Sequence, residues 1–289
     1  MEKIKIKERV FIVGCPRSGT TLLQALLASH KDILSFPESH FFHYVAVRQG
    51  RRGGMFVSGK IKERLRRFLV ESGNEDLARL IPRGTIFLSR YAGAFVNILD
   101  TAALNRGKTV WLEKTPRHLH YIDTIRRYVP LAKFVHILRR GQDVVASLYQ
   151  VTHRYPETWR GARGIDECID RWLDDIRLSM GYLNDPNHTL VRYEHLVQEP
   201  ESVLRRLCRF MGVTYDQAML QVYRQESKKL ISANEPWKDT VKQDISFAAS
   251  GKFFEVFNAE QRRYILDRLS VIDLERIEAA KETKSQPGY

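Results

Sequence analysis

Residues 10–21 read VFIVGCPRSGTT, and their reading decides the fold. Val10, Phe11, Ile12 and Val13 form a short apolar run of β-branched and aromatic residues, the composition of a buried strand in a parallel sheet. Gly14, Pro16 and Gly19 then turn the backbone, and from Thr20 to Ala28 apolar positions recur at helical spacing. Strand, tight turn and helix in this order make a phosphate-binding layout. Loop amides and those of the first helical turn lack internal partners and can all point at one anion, with the helix dipole adding to the attraction. The competing reading is a strand-to-helix turn without a ligand.

The spacing of Gly14 and Gly19 matches the loop of nucleoside triphosphatases, in which Lys and then Ser or Thr should follow. Here the next residues are Thr20 and Thr21. The cation inside the loop is instead Arg17, which together with Ser18 and Thr20 offers charge-assisted donors to a phosphate or a sulfate.

A chain of 289 residues with 43% hydrophobic content has room for one large α/β core without staples. We expect a three-layer domain resembling the P-loop fold, a central parallel sheet flanked by helices, spanning residues 1–289. No apolar run reaches bilayer length, and the N-terminal MEKIKIKERV is charged, so the expectation is a cytoplasmic protein with no membrane span. Cys15, Cys168 and Cys208 fit neither a disulfide framework nor a zinc spacing, which agrees with a reducing cytosol. Cys15 reads as a small filler in the loop. The net charge of +13 calls for an anionic partner, and nucleic acid, an acidic membrane, an anionic cofactor and an anionic acceptor all answer to it.

Further along, Ile33–Phe36 reads as a second strand stopped by Pro37. Glu38, Ser39, His40, Phe41 and Phe42 follow, with Ser39 placed to cap the next helix. Glu38 is then either a carboxylate at a helix start or a general base beside an apolar acceptor pocket, where burial would raise its pKa. His40 either shares the proton work of Glu38 or packs on the aromatic rings, and packing is the preferred reading. Residues 48–59 form a Gly- and Arg-rich loop, and residues 60–70 a basic helix with a solvated face. The segment from about 43 to 107 reads as a helical insertion.

Strand signals return at Thr109–Leu112, where Lys114 stands at the carboxyl end, and at Lys133–Leu138, followed by Arg139, Arg140 and Gly141. Ligands of open α/β sheets collect at such ends. Ser147 lies one turn after Asp143 in the next helix, so Arg139, a hydroxyl and a helix start compose a second anion site. Ile165–Leu183 is an amphipathic helix carrying Trp172 in the core, His188–Tyr193 a further strand, and Pro200–Met211 a helix. Residues 231–257 are polar and irregular, Ala259–Leu269 forms the last helix, and 283–289 a frayed end.

Together these pieces resemble the sulfotransferases that use 3′-phosphoadenosine 5′-phosphosulfate (PAPS) as donor. PRSGTTLL is similar to their 5′-phosphosulfate loop, with Arg17 in place of the usual lysine, as in the tyrosylprotein sulfotransferases. ILRRGQDVVASLY resembles the 3′-phosphate motif, whose arginine and serine fall on Arg139 and Ser147. PESHFF is similar to the segments that supply the base glutamate of heparan sulfate and tyrosylprotein enzymes, here Glu38, and LEKTP to the family's EKTP, here Lys114. RYEHLVQEP resembles segments that put a tyrosine, here Tyr193, near the adenine or ribose. SGKFF is similar to the region that closes over the 3′-phosphate, which implies Lys252 and makes 231–257 a loop covering the cofactor. An arginine of the tyrosylprotein enzymes falls on Val151 here, so its contact is absent or moved to His153 or Arg154.

The resemblance implies in-line transfer of a sulfuryl group to a hydroxyl or amine. Arg17, Lys114 and the loop amides would stabilise the leaving phosphate, and Glu38 would take the acceptor proton. Ser18, Gly19, Thr20 and Thr21 complete the donor site. No metal is needed, and the chain has no compelling ligand cluster. A nucleotide kinase or triphosphatase with a degenerate loop is the first alternative, opposed by Thr20 where lysine should stand. A basic nucleic-acid-binding protein is the second, and it leaves two anion loops unexplained. The acceptor stays open among carbohydrate, lipid, peptide and secondary metabolite.

Overall fold

A computed structural model describes residues 5–49, 58–84, 87–230 and 251–285. Five parallel strands form one sheet: β1 (Glu8–Gly14), β2 (Ile33–Phe36), β3 (Val110–Lys114), β4 (Lys133–Leu138) and β5 (His188–Arg192), in the spatial order β2-β3-β1-β4-β5. The chain steps from β1 to one side for β2 and β3, then crosses to the other side for β4 and β5. The strand order therefore reverses beside β1, where an α/β sheet opens a crevice at its carboxyl edge.

Strand residues are buried on both faces, which is why these stretches read as continuous apolar runs. Phe11, Phe36, Trp111 and Phe134 face one helical layer, which includes α2 (Phe41–Gln49), α3 (Gly59–Glu71), α4 (Leu88–Asn105) and α5 (Ile122–Tyr128). Phe11 is the hub there, with ring centroids 5.3 Å from Trp111, 5.5 Å from Phe134 and 6.0 Å from Phe42. Val10, Ile12, Leu112, Val135 and Val191 face the opposite layer, where α1 (Thr20–Ala28) packs with the helix Pro200–Phe210. A third cluster joins Leu138 and Leu190 to α6 (Gly141–Arg154) and the helices Ile165–Tyr182, Gly251–Val256 and Ala259–Leu269.

The helices between β2 and β3 thus lie directly on the sheet and form one of its layers. Arg9 and Asp100 pair at 2.6 Å, and the Trp111 indole N–H donates to the same carboxylate at 2.7 Å, tying α4 to β1 and β3. The structure departs from the sequence reading mainly at the chain's end. Helices Tyr223–Leu230, Gly251–Val256 and Leu274–Ser285 occupy stretches that the sequence reading did not assign as helical. Most of the Gly- and Arg-rich loop, residues 50–57, lies outside the described residues, as do residues 231–250. No helix among the described residues is long and apolar enough to cross a membrane.

Candidate active site

The loop after β1 is built on two close approaches. A Cβ at Gly14 would sit 2.6 Å from the Ile137 carbonyl oxygen of β4, so the strand reaches the loop in contact with its neighbour. Gly19, at φ +93, lies against the Tyr193 ring, and a Cβ there would fall 2.2 Å from Tyr193 Cδ2. Arg17 itself holds a left-handed backbone, φ 76. Thr20 and Thr21 open α1, which has no side-chain cap, leaving its first amides to an external acceptor. We expect Gly19→Ala to weaken binding of adenosine 3′,5′-bisphosphate by at least about tenfold, since side chains at this φ are strained and the ring must move. Calorimetry on this variant and on the Gly19→Ala/Tyr193→Ala pair checks it. Wild-type affinity in the single variant would refute the close approach.

Arg17 Nε donates to Ser147 Oγ of α6 at 3.1 Å, and Arg139 Nη1 donates to the Arg17 carbonyl at 3.3 Å. The Arg139 guanidinium also lies over the Tyr193 ring at 4.3 Å. The two loops separated by more than a hundred residues are therefore one constellation. Lys252, on the helix Gly251–Val256, completes it. Its pKa is lowered by burial and then by the charges of Arg17 and Arg139. Three cations gathered without a carboxylate bridging them all mark a place shaped for a polyanion. Ser18 Oγ and Arg139 Nε are buried there without a hydrogen-bond partner, donors that a bound phosphate or sulfate would satisfy.

Around the constellation stand residues that the sequence reading did not single out for this purpose. Trp172 Nε1 donates to the Arg139 carbonyl at 3.0 Å, and Glu194 Oε1 accepts from the Arg140 amide at 2.9 Å while its other oxygen meets Arg192 at 3.3 Å. Asp175 lies 2.6 Å from His120 Nε2 and accepts from Arg171 Nε at 3.3 Å and from the Cys15 thiol. Its pKa is lowered: burial opposes this, and the hydrogen bonds and charges of His120 and Arg171 outweigh it. Burial pushes the Cys15 thiol well up, so it is an inert filler at neutral pH. The pattern RYE around Glu194 and the i, i+4 spacing of Arg171 and Asp175 were the available signals.

On the other side of β1, Lys114 pairs in register with Ile12, so its side chain emerges beside the loop. Lys114 Nζ is ion-paired with Glu38 Oε1, and the lysine side chain is 2% exposed. Glu38 thus has a cation partner rather than the apolar wall expected of it. His40 Nε2 lies 3.5 Å from Glu38 Oε2, the placement that sharing the proton work would need. Its backbone holds φ 50, and burial lowers its pKa although Glu38 opposes the shift. Arg64 clamps this segment, donating to the Glu38 carbonyl at 2.7 Å and the Ser39 carbonyl at 2.5 Å while pairing with Glu71. The basic helix α3 is therefore not purely a solvated face.

Beneath the pair, Glu113 is fully buried and accepts from the Ser39 amide at 3.0 Å, the Ser39 hydroxyl at 2.8 Å and the Thr115 hydroxyl at 2.5 Å. His118 Nδ1 lies 2.9 Å away. Burial opposes its ionisation, but His118 and these donors prevail and hold the carboxyl at about 2. Glu113 is the anchor that fixes residues 38–40 over β3. Of the alternative cations suggested near Val151, His153 Nδ1 lies 2.8 Å from its own helix's Tyr149 carbonyl and Arg154 lies over Tyr155. A cavity of about 630 Å³ beside Pro82, Arg83, Phe87 and Asn97 contains none of these residues.

The model of a family described as "Sulfotransferase family" matches residues 9–217. A putative protein-tyrosine sulfotransferase of Caenorhabditis briggsae is 23% identical over 270 residues, covering 90% of this chain and 86% of that protein. The chain spans about half the length, or less, of several other curated relatives it matches, among them protein-tyrosine sulfotransferase 1 of Danio rerio. Among solved structures, the sulfotransferase domain from the curacin biosynthetic pathway superposes with a TM-score of 0.62 at 20% identity, covering 92% of this chain and 98% of that one. Mouse sulfotransferase SULT7A1 complexed with PAP gives 0.56 at 12% identity, covering 96% and 88%. At these identities the two structures speak to the fold.

Proposed function

The chain belongs to the sulfotransferase family, and we propose that it moves a sulfuryl group from PAPS to a hydroxyl or amine of its acceptor, with Glu38 as general base. The observation that carries the reading is the convergence of Arg17, Arg139 and Lys252, with the unpartnered Ser18 hydroxyl, at the sheet edge beside the Glu38–Lys114 pair. The PAP bound in the mouse relative supports the donor's identity. The loop amides, Arg17, Ser18, Thr20 and Thr21 would hold the 5′ end, Arg139 and Ser147 the 3′-phosphate, with Lys252 closing over it. Tyr193, flanked by Gly19 and Arg139, would bound the adenosine.

PAPS supplies an activated sulfuryl group whose leaving oxygen becomes a phosphate oxygen. The acceptor oxygen or nitrogen bonds to sulfur as the sulfur–oxygen bond to that phosphate breaks, and the acceptor proton passes to a Glu38 carboxylate oxygen. Charge grows on the leaving oxygen, so positioned cations lower the barrier most. One ion pair couples the two events. As Glu38 takes the proton it loses the charge that holds Lys114, and the ammonium is released to the leaving oxygen at the moment charge accumulates there. Incubating the full chain with ³⁵S-labelled PAPS and a panel of tyrosyl peptides, carbohydrates and phenols should transfer label to an acceptor, and the bisphosphate product should compete with the donor. Failure of the bisphosphate to bind, or Mg²⁺-dependent ATP hydrolysis in its place, would overturn the reading.

A further inference from the structure

Arg139, Arg140 and Gly141 make the turn that presents the cation assigned to the 3′-phosphate, and each of the three is held from behind. The Arg139 carbonyl accepts from the Trp172 indole, and the Arg140 amide donates to Glu194 Oε1. Gly141 lies close against the helix Ala259–Leu269. A Cβ on it would fall 2.9 Å from both Leu269 methyl carbons and 3.1 Å from Trp172 Cε2.

Glu194 is itself held by a chain of charges that ends on the helix Leu274–Ser285. Its second oxygen accepts at 3.3 Å from Nε of Arg192, the last residue of β5. Arg192 Nη1 in turn lies 3.9 Å from Glu278 Oε2, and Glu278 Oε1 lies 3.0 Å from His195 Nδ1. The Arg192 and Glu194 side chains are each 5% exposed and that of Glu278 is 11% exposed, whereas Glu275, Arg276, Ala279 and Ala280 of the same helix are open to solvent. An inward-turned carboxylate persists where its charge is balanced, and Arg192 supplies the balance. Arg192 Nη1 makes no hydrogen bond among the described residues, so Glu278 acts on that arm of the guanidinium by charge.

We infer that Glu278 is a positioning residue for the donor's 3′-phosphate: by sharing Arg192 it leaves Glu194 an oxygen with which to fix the turn that carries Arg139. Without the Glu278 charge, Arg192 would face Glu194 alone, and a guanidinium fork paired with one carboxylate favours the bidentate arrangement that uses both oxygens. The oxygen drawn away is the one that accepts from the Arg140 amide. This role rests on the donor reading above and brings into it a residue that touches neither the nucleotide nor the acceptor.

The test is calorimetric titration of adenosine 3′,5′-bisphosphate and of 5′-AMP into the full chain, its Glu278→Gln variant and a Lys281→Met variant. Lys281 lies on the same helix and donates to the Leu183 carbonyl at 2.7 Å, so its loss loosens the helix and leaves the Glu278 carboxylate in place. Glu278→Gln should weaken the bisphosphate by about five- to tenfold, the worth of one net hydrogen bond, and 5′-AMP by about twofold or less. Lys281→Met should keep the wild-type ratio of the two affinities. In amide NMR spectra recorded without ligand, the Arg140 resonance should move in Glu278→Gln and stay in Lys281→Met, which a loss of stability alone would not produce. Should Glu278→Gln fail to fold, Glu278→Asp, which keeps the charge and draws it back from Arg192, should lose the same preference in smaller measure. A wild-type affinity ratio in the Glu278 variant, or the same change of ratio in Lys281→Met, would overturn the role of Glu278. A wild-type chain that binds the bisphosphate no better than 5′-AMP counts against the donor reading instead, since the Arg140 resonance reads the link to Glu278 separately.

Discussion

Glu38→Gln is expected to lower turnover by about 10²–10⁴-fold, the range a positioned general base contributes, without weakening the binding of adenosine 3′,5′-bisphosphate. The amide keeps the shape of the side chain and its place over β3, because residues 38 and 39 are held through their backbone carbonyls by Arg64 and through Ser39 by Glu113. What it loses is the capacity to accept a proton and the charge that pairs with Lys114. The donor contacts assigned to Arg17, Arg139 and Lys252 involve neither, and a Lys114 freed of its partner can only add to the hold on the 5′-phosphate, so nucleotide binding should not weaken. Single-turnover measurements with saturating labelled donor check the prediction and separate chemistry from product release. Turnover equal to wild type would remove Glu38 from the mechanism. Lys114→Met sharpens the comparison: if the ion pair couples proton transfer to leaving-group departure, the double variant should be little worse than the more damaged single one.

The loop and strands were legible because their causes are local. A strand buried on both faces must be apolar at every position, and a loop that presses against β4 at Gly14 and Tyr193 at Gly19 must have glycine there. Arg139 and Ser147 could be read for a similar reason, since a strand end followed by a helix start has one geometry wherever it occurs. Groups that act across the fold left fainter marks. Arg64 sits in a basic helix whose composition suits solvent, and only the return of α3 across Glu38 turns it into a clamp. Glu113 adjoins the lysine that drew attention, yet its burial and four donors depend on β2 and the turn after β3. His40 drew a packing assignment from its aromatic neighbours, while its left-handed backbone swings the ring to Glu38. The helix Leu274–Ser285 left little trace because its apolar residues do not gather on one side, so amphipathic pattern had little to record.

Arg139→Ala should weaken adenosine 3′,5′-bisphosphate by about 10²-fold, the loss expected when charge-assisted hydrogen bonds to a phosphate are removed, while 5′-AMP loses a few-fold at most. The contrast between the two nucleotides is the informative quantity. Arg139 also donates to the Arg17 carbonyl and lies over Tyr193, so its removal must disturb the loop and the adenosine wall somewhat, and that disturbance falls on both ligands alike. Any excess loss for the bisphosphate belongs to the 3′-phosphate. Ser147→Ala isolates the point further, because it deletes a hydroxyl that accepts from Arg17 Nε and leaves every cation in place. A smaller loss with the same preference for the bisphosphate is expected there. Arg139→Lys keeps the charge but not the planar fork, and should recover only part of the affinity, since a point charge cannot hold the 3′-phosphate and the Arg17 carbonyl at once. Calorimetric titration of both nucleotides into all three variants decides the matter, and equal losses for the two ligands would show that Arg139 supports the loop without touching a 3′-phosphate.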